Sequence, residues 1–249
     1  MSKRRVFGQV QNLLLAALPQ EDLQRVLPEL EIVRRKPRQL LHKPGEFIDH
    51  VYFPGDGFCS IFAVLEDGSM IEAATVGREG VVGLAATVVE SPASIAAMAQ
   101  SDIDVCYRMK ACAFRREMAR RGEFHAVITR YSQALMAFIM RSAACNAAHS
   151  IEQRLARWLL VAQDRMDGDE FRLTQEFVAM MLGASRSTVS MIAAVLQKAG
   201  LIAYHRGRMS ILDREALEAA ACGCYRAGAS FIRGITDSGL GARDSGLAG

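Results

Sequence analysis

TQEFVAMMLGASRSTVSMIAAVLQK, residues 174–198, decides the fold. The stretch reads as two short helices separated at Gly183, the second starting near Ser185. With Gln175 as position one, Ala179 is position five and Gly183 position nine, while Val178, Val189 and Ile192 are positions four, fifteen and eighteen. In a helix-turn-helix unit position five is small so that the helices can approach. Position nine takes a positive φ, which glycine adopts without a Cβ penalty. The apolar trio closes the miniature core between the helices. Ser185 is placed to cap the second helix through its hydroxyl. Arg186, Ser187, Thr188 and Ser190 then occupy its first turns, and Thr174 and Gln175 open the first helix. An ordinary helical hairpin is the alternative reading of the same pattern.

Downstream, Ala199-Gly200 stops the second helix, with Gly200 in the C-terminal capping position. LIAYHRGRMSIL predicts two short strands around Arg206-Gly207-Arg208, a hairpin "wing" carrying basic residues. DREALEAAACGCYR predicts a last short helix, and the chain ends in a tail rich in Gly, Ser and Ala. From Phe177 to Leu212 there is no Asp or Glu, whereas Arg186, Lys198, Arg206 and Arg208 fall inside that span. The formal charge of the whole chain is only +3, so the distribution carries the information. A region without carboxylates suits a phosphate backbone, to which binding is driven by counterion release.

Upstream the texture differs. QLLHKPGEFIDHVYFPGDGFCSIFAVLEDGSMIEAATVGREG consists of short apolar runs divided by turn signals, as in a β sandwich or barrel. Asp67-Gly68 marks the clearest hairpin. Residues 7–30 predict one or two leading helices, and the β texture ends near Met109. A long helix is predicted from about Glu123 to Asn146. Along it Phe124, Ile128, Tyr131, Leu135, Phe138, Ser142 and Cys145 form a coiled-coil-like seam. The first five of these are the candidate dimer interface; packing on the chain's own barrel is the alternative. Ser150 is placed to cap the next helix, whose Trp158 is assigned to the core of the C-terminal domain.

With 249 residues, 51% of them hydrophobic, the chain can bury a core for one or two domains. The basic and then apolar N-terminus lacks a signal-peptide cleavage pattern, and no segment reaches the length of a membrane span. The six cysteines show neither paired metal-ligand spacing nor a small disulfide framework, so no metal is expected and a reducing cytoplasmic location is. Cys222 and Cys224 are read as small apolar side chains at a helix end, with a redox pair as the alternative. No nucleophile elbow, phosphate loop or carboxylate dyad argues for an enzyme, and no catalytic residue is assigned.

The expected fold class is therefore α+β, in four parts. Residues 1–122 form leading helices and a β-roll, 123–147 a dimerisation helix, 148–225 a winged helix-turn-helix domain and 226–249 a flexible tail. This order resembles the CRP/FNR superfamily of bacterial transcription regulators, over roughly residues 15–225. The resemblance is most specific at LTQEFVAMMLGASRSTVS, LQKAGLI and RGRMSIL. It implies a cyclic-nucleotide-binding-like β-roll, and a homodimer reading a partly palindromic promoter site in double-stranded DNA, with RNA polymerase as a further partner. By the same resemblance Thr174 and Gln175 contact phosphate, and Ser185 and Arg186 head the recognition helix, where the Arg reads guanine. Ser187 and Met191 stand where the catabolite-activator branch has base-reading Glu and Arg, so a different site preference is implied.

The family's cyclic-nucleotide site needs Gly-Glu for the ribose and Arg-Ser or Arg-Thr for the phosphate. Here Gly83 is followed by Leu84, and Ala93 precedes Ser94. Cyclic AMP held in the family's usual way is not expected, no cofactor is assigned, and the effector site is left open. A sensor that signals through a protein partner instead of DNA is the alternative function.

Overall fold

The computed structural model describes residues 10–87, 92–166, 170–205 and 207–228. Two short helices lead in, α1 (Leu13–Ala16) and α2 (Gln20–Val26). Asn12 caps α1, accepting from the Leu15 N–H at 3.2 Å, and its buried amide donates to the carbonyls of Pro54 (2.8 Å) and Gly80 (2.9 Å). The leading segment is thereby tied to the loop after β5.

Seven strands build the roll: β1 (Leu30–Arg35), β2 (Leu40–His42), β3 (His50–Pro54), β4 (Cys59–Val64), β5 (Met70–Val76), β6 (Ala96–Ala99) and β7 (Ile103–Lys110). They form two antiparallel sheets, ordered β1-β7-β3 and β2-β6-β4-β5. Val51, Phe53, Val76, Val81, Ile103 and Met109 close the interior between them. The predicted hairpin joins β4 to β5, with Gly68 at φ 81° and the Asp67 carboxylate accepting from the Ser69 N–H at 2.9 Å.

Helix α3 (Ala111–Ala119) occupies the stretch between the end of the β texture and Glu123, for which no element is predicted. It buries Ala111, Ala113 and Phe114 against the roll, and buried Glu117 accepts from Arg25 Nε at 2.9 Å. The long helix α4 (Glu123–Ala148) has 26 residues, which at 1.5 Å each extends roughly 39 Å. Ser150 caps α5 (Ile151–Gln163) in a reciprocal capping box with Gln153. A third sheet, ordered β8-β10-β9, belongs to the C-terminal part: β8 (Glu170–Arg172), β9 (Ile202–His205) and β10 (Arg208–Ile211). Helices α6 (Gln175–Leu182) and α7 (Arg186–Lys198) lie between β8 and β9, and α8 (Arg214–Ala220) follows β10. The backbone is helical again from 224 to 228, so the first residues of the expected tail are ordered; the rest of that tail lies outside the described residues.

Two sequence expectations need correction here. Phe124, Ile128, Tyr131 and Phe138 are buried within the single chain, and Leu135 packs against the roll core. The seam from Phe124 to Leu135 thus faces the chain's own roll, while Phe138 lies against Gly228 of the C-terminal segment; a 3.5-residue apolar repeat specifies a buried face without specifying whose surface buries it. Trp158 is not interior to the C-terminal domain alone. It lies where that domain meets the roll, donating from Nε1 to Glu72 Oε1 of β5 at 2.9 Å with its ring edge-on to Phe58.

Candidate nucleic-acid interface

The helices α6 and α7 meet at 108°, within the range of a helix-turn-helix. Gly183 turns the chain in the left-handed region, φ 59° and ψ 41°. Val178, Ala179, Val189 and Ile192 are buried between the helices, as their spacing requires. Thr174 caps α6 by accepting from the Phe177 N–H at 3.3 Å. Ser185 caps α7 by accepting from the Thr188 N–H at 3.1 Å, and its hydroxyl also meets those of Ser187 and Thr188 at 2.8 and 2.7 Å. Ser190 Oγ donates to Gln175 Oε1 at 2.5 Å, cross-bracing the two helices.

These bonds sort the predicted site residues. Arg186 and Ser187 are exposed on the head of α7, followed along the same side by Met191 (63% exposed) and Val195 (54%). Ser185 and Thr174 are partly committed to capping, and Ser190 and Gln175 to each other. The outward face of α7 therefore offers one guanidinium, hydroxyls and two apolar side chains to a groove. Hydroxyls and guanidinium suit base edges and phosphates; apolar tips suit thymine methyl groups.

In the wing, Arg208 of β10 is exposed and pairs in register with His205 of β9 and Arg172 of β8. Arg206 lies outside the described residues. Gly207 turns the wing at φ 77°, and its carbonyl accepts from the Leu173 N–H at 2.8 Å. Gln197 Oε1 accepts from the Tyr204 N–H at 2.9 Å, fixing the wing to the end of α7. Sequence reasoning missed Arg172, which joins the basic ridge through cross-strand register, and Arg38. The latter reaches from the roll to donate from Nη2 to Thr174 Oγ1 at 3.2 Å. Neither has a local pattern that marks it.

The roll and the winged domain are also joined in depth. Arg165, just beyond α5, donates from Nε and Nη2 to Glu79 Oε1 at 2.9 and 2.7 Å, with the two side chains only 5% and 8% exposed. Glu79 also accepts from the Gly77 N–H at 3.1 Å. A Cβ on Gly80 would come within 2.3 Å of the Tyr131 hydroxyl of α4, so the loop after β5 is pressed against α4 while paired to the end of α5. Burial pushes the Tyr131 phenol well above its ordinary range, keeping it neutral.

This loop leads into the stretch that matches a cyclic-nucleotide site, and its described residues do not fit a cyclic phosphate. Ala93 is buried and offers a methyl where the phosphate would need a cation. Among the described residues the buried carboxyls of the roll are Glu79 and Glu117, with Glu72 of β5 half-buried, and all three are acids rather than cations. Burial lowers the His42 pKa, and its ring is bonded at Nδ1 to the Ile95 carbonyl at 3.1 Å. Among the described residues the buried guanidinium that reaches the loop, Arg165, is held by Glu79. A buried phosphate without a partner cation is strongly disfavoured.

On α4 the outward side carries Gln133, Met136 (55% exposed), Met140 (65%), Ala143, Ala144 and Ala147. At the far end of that helix Cys145 and His149 meet Cys222 and Cys224, a convergence that cysteine spacing along the chain did not reveal. The one available signal was local: Cys145 and His149 are a helical turn apart.

Residues 153–220 match the Crp-like helix-turn-helix domain family, and residues 32–121 match the cyclic nucleotide-binding domain family. The chain belongs to the CRP/FNR superfamily. It is a transcription regulator of that type with a DNA-binding helix-turn-helix domain, and its family and structural neighbours are regulators rather than enzymes. A structure from Eubacterium rectale assigned to the crp/fnr family of transcriptional regulators superposes with a TM-score of 0.66 at 17% identity, covering 82% of this chain and 94% of that one. A CRP-family transcriptional regulator from Thermus thermophilus gives 0.64 at 24% identity, covering 76% and 96%. The c-di-GMP-responsive global regulator CLP of Xanthomonas campestris gives 0.63 at 17% identity, covering 78% and 100%. At these identities the structural likeness is one of fold. No curated protein matches the chain by sequence. Among the described residues no single helix is long and apolar enough to cross a membrane.

Proposed function

We propose that this CRP/FNR regulator reads a partly palindromic promoter site in double-stranded DNA as a homodimer, with α7 of each subunit in the major groove. The observation that carries the reading is the head of α7. Arg186 is exposed there, in a span from Phe177 to Leu212 that contains no carboxylate, and the wing in the same span carries the exposed Arg208. Arg186 reads a guanine, while Ser187, Thr188 and Met191 set the neighbouring preference; Thr174, Gln175, Ser185 and Ser190 hold that head in place and contact backbone. Arg206 and Arg208 of the wing, with Arg172, supply phosphate contacts. Two copies place their recognition helices about one duplex turn, roughly 34 Å, apart.

The dimer partner in this reading is a second α4, apposed along Met136, Met140 and the alanines beyond them. That face supports the reading because it is apolar, outward and continuous over several turns. Phe124, Ile128, Tyr131 and Leu135 instead seat α4 on its own roll and Phe138 meets the C-terminal segment at Gly228, with 1–122 as sensor, 123–147 as dimerisation helix, 148–225 as reader and 226–249 as tail. The effector acts through the roll, and Glu79–Arg165 and Gly80–Tyr131 are the contacts placed to carry its signal to α5 and α4. Its chemistry differs from that of cyclic AMP bound in the family's usual way. Output is through RNA polymerase at the promoter, in the cytoplasm.

The test is footprinting of the full-length protein on genomic fragments, then gel shifts with single-base variants of the protected site. Arg186→Ala should weaken binding by about 1–3 kcal/mol and relax preference at one base pair per half-site. Equal weakening on every sequence would assign Arg186 to phosphate and remove it from readout.

A further inference from the structure

The joint between α4 and the winged domain holds a cluster that DNA reading does not use. Cys145 and His149 are one helical turn apart and share a face at the end of α4. Cys222 and Cys224 flank Gly223 in the segment after α8. Cys145 Sγ lies 3.4 Å from Cys222 Sγ, and Cys224 Sγ lies 3.8 Å from His149 Nδ1. All four ligand atoms fall within 4.8 Å of one another. A tetrahedral zinc ion bonds sulfur at about 2.3 Å and nitrogen at about 2.0–2.1 Å, which makes its S···S edges about 3.8 Å and its S···N edges about 3.5 Å. The Cys145–Cys222 and Cys224–His149 separations lie within about 0.4 Å of those edges, and the remaining pairs lie no farther apart than 4.8 Å. The sulfur pair is also well beyond the ~2.05 Å of a disulfide.

We propose that Cys145, His149, Cys222 and Cys224 form a tetrahedral Cys3His site for a thiophilic divalent ion, Zn(II) by its ligand chemistry. Three thiolates and one imidazole match the softness and coordination number of zinc and leave no open position, the pattern of a structural or regulatory centre. Binding replaces three S–H bonds by three S–Zn bonds, releases three protons to solvent and involves no redox change. The resulting centre carries one net negative charge. Two buried arginines of α5, Arg154 and Arg157, are electrostatically coupled to it, Arg157 to Cys145, and Arg154 to Cys145 and Cys222. The Nε of each has no hydrogen-bond partner among the described residues. Arg157 also faces the Glu72 carboxyl, whereas the electrostatic partners of Arg154 are the two thiols and Arg157; a buried guanidinium beside uncharged thiols is costly, and beside an anionic metal–thiolate centre it is compensated. Cys145 and Cys222 form the buried side of the site, and the half-buried His149 and Cys224 give an ion its entry.

The location assigns the ion a task. His149 ends α4 and Ser150 begins α5, so the site lies on the hinge. Directly after Cys224, Tyr225 donates to Asp164 Oδ2 at 2.9 Å, and Arg214 joins the same carboxylate at 2.7 Å. The segment carrying two ligands is therefore anchored to the winged domain, while the other two belong to the connecting helix. An ion held by all four fixes the angle between them. Its effect on promoter affinity rests on the DNA-reading proposal; the site itself does not.

The experiment uses untagged full-length protein, reduced and stripped with a chelator, titrated with Co(II). The expected result is one ion per chain with thiolate-to-cobalt charge transfer and the strong d–d bands of tetrahedral geometry, displaced by Zn(II). Cys145→Ser and Cys222→Ser should abolish that spectrum. The half-buried variants Cys224→Ser and His149→Gln, checked for folding by circular dichroism, should weaken binding at least about tenfold. Cys112→Ser, an exposed cysteine elsewhere, should leave it unchanged. Weak octahedral bands, a stoichiometry indifferent to all four variants, or isolation of the protein with Cys145 and Cys222 disulfide-bonded and no metal uptake on reduction would each overturn the site. Gel shifts of loaded and stripped protein form a separate arm: absence of DNA binding in both forms counts against the promoter reading and leaves the cobalt result standing.

Discussion

Arg165→Met removes the guanidinium that joins the winged domain to the loop after β5. The structure sets the size of the effect. Both partners are nearly inaccessible, and the arginine makes two contacts of 2.9 and 2.7 Å to one carboxylate oxygen. Without it Glu79 keeps the Gly77 N–H at 3.1 Å as its remaining bond and carries a charge in a buried site. Breaking a buried pair from one side costs about 3–5 kcal/mol. Glu79→Gln should cost less, because the amide oxygen can still accept and Arg165 retains the Val161 carbonyl at 3.0 Å. The double variant should cost clearly less than the sum, giving a coupling energy of about 2–3 kcal/mol. Trp158, the only tryptophan, lies at the same domain boundary and reports its opening by fluorescence, while far-ultraviolet circular dichroism reports the helices. In urea the wild-type transitions should coincide, and in Arg165→Met the tryptophan transition should come first. Coincident transitions with a loss below about 1 kcal/mol would show that the pair is solvated and couples nothing, and the relay through Glu79 would fall with it.

Other parts of the molecule give three further expected outcomes. Arg208→Ala and Arg172→Ala should each weaken binding on all DNA sequences and reduce the slope of log K against log salt by about 1; an unchanged slope would take the basic ridge out of the interface. Met136→Glu combined with Met140→Glu should leave the fold intact, since both side chains are mostly exposed, but shift sedimentation from dimer to monomer and abolish cooperative binding to a two-half-site fragment; a stable dimer would refute the apposed-helix reading. Burial pushes the Glu72 carboxyl above the usual carboxylate range despite bonds from Ser60 and Trp158. Its folded pKa exceeds its unfolded one, so its contribution is present below the unfolded value and is lost as pH rises through the folded value. Glu72→Gln should therefore be at least as stable as wild type at pH 8 and show a flatter rise in stability on acidification; a steeper dependence in urea titrations would contradict this.

The parts of this regulator that could be read from its residues are those whose determinants are close together in the chain. Gly183 at a left-handed turn, Ser185 capping α7, Thr174 capping α6, the capping box at Ser150 and the wing around Gly207 each depend on a few consecutive positions. Backbone sterics and unsatisfied N–H groups act at that range, so composition and spacing suffice. Helix α3 escaped because its buried residues are few and its arginines dominate the pattern.

Periodicity determined that α4 has an apolar stripe, and only the tertiary structure decided that the stripe meets its own roll from Phe124 to Leu135 and the C-terminal segment at Phe138 and Cys145, leaving Met136 and Met140 outward. The same holds for Trp158 on Glu72, Arg165 on Glu79, and Cys145 with His149 on Cys222 with Cys224, pairs whose members are separated by 75 to 86 residues. Burial is a demand that a residue states in the sequence. Which surface satisfies it is settled by long-range packing, where several apolar faces compete for the same partner and only one arrangement also leaves the buried charges and polar atoms paired.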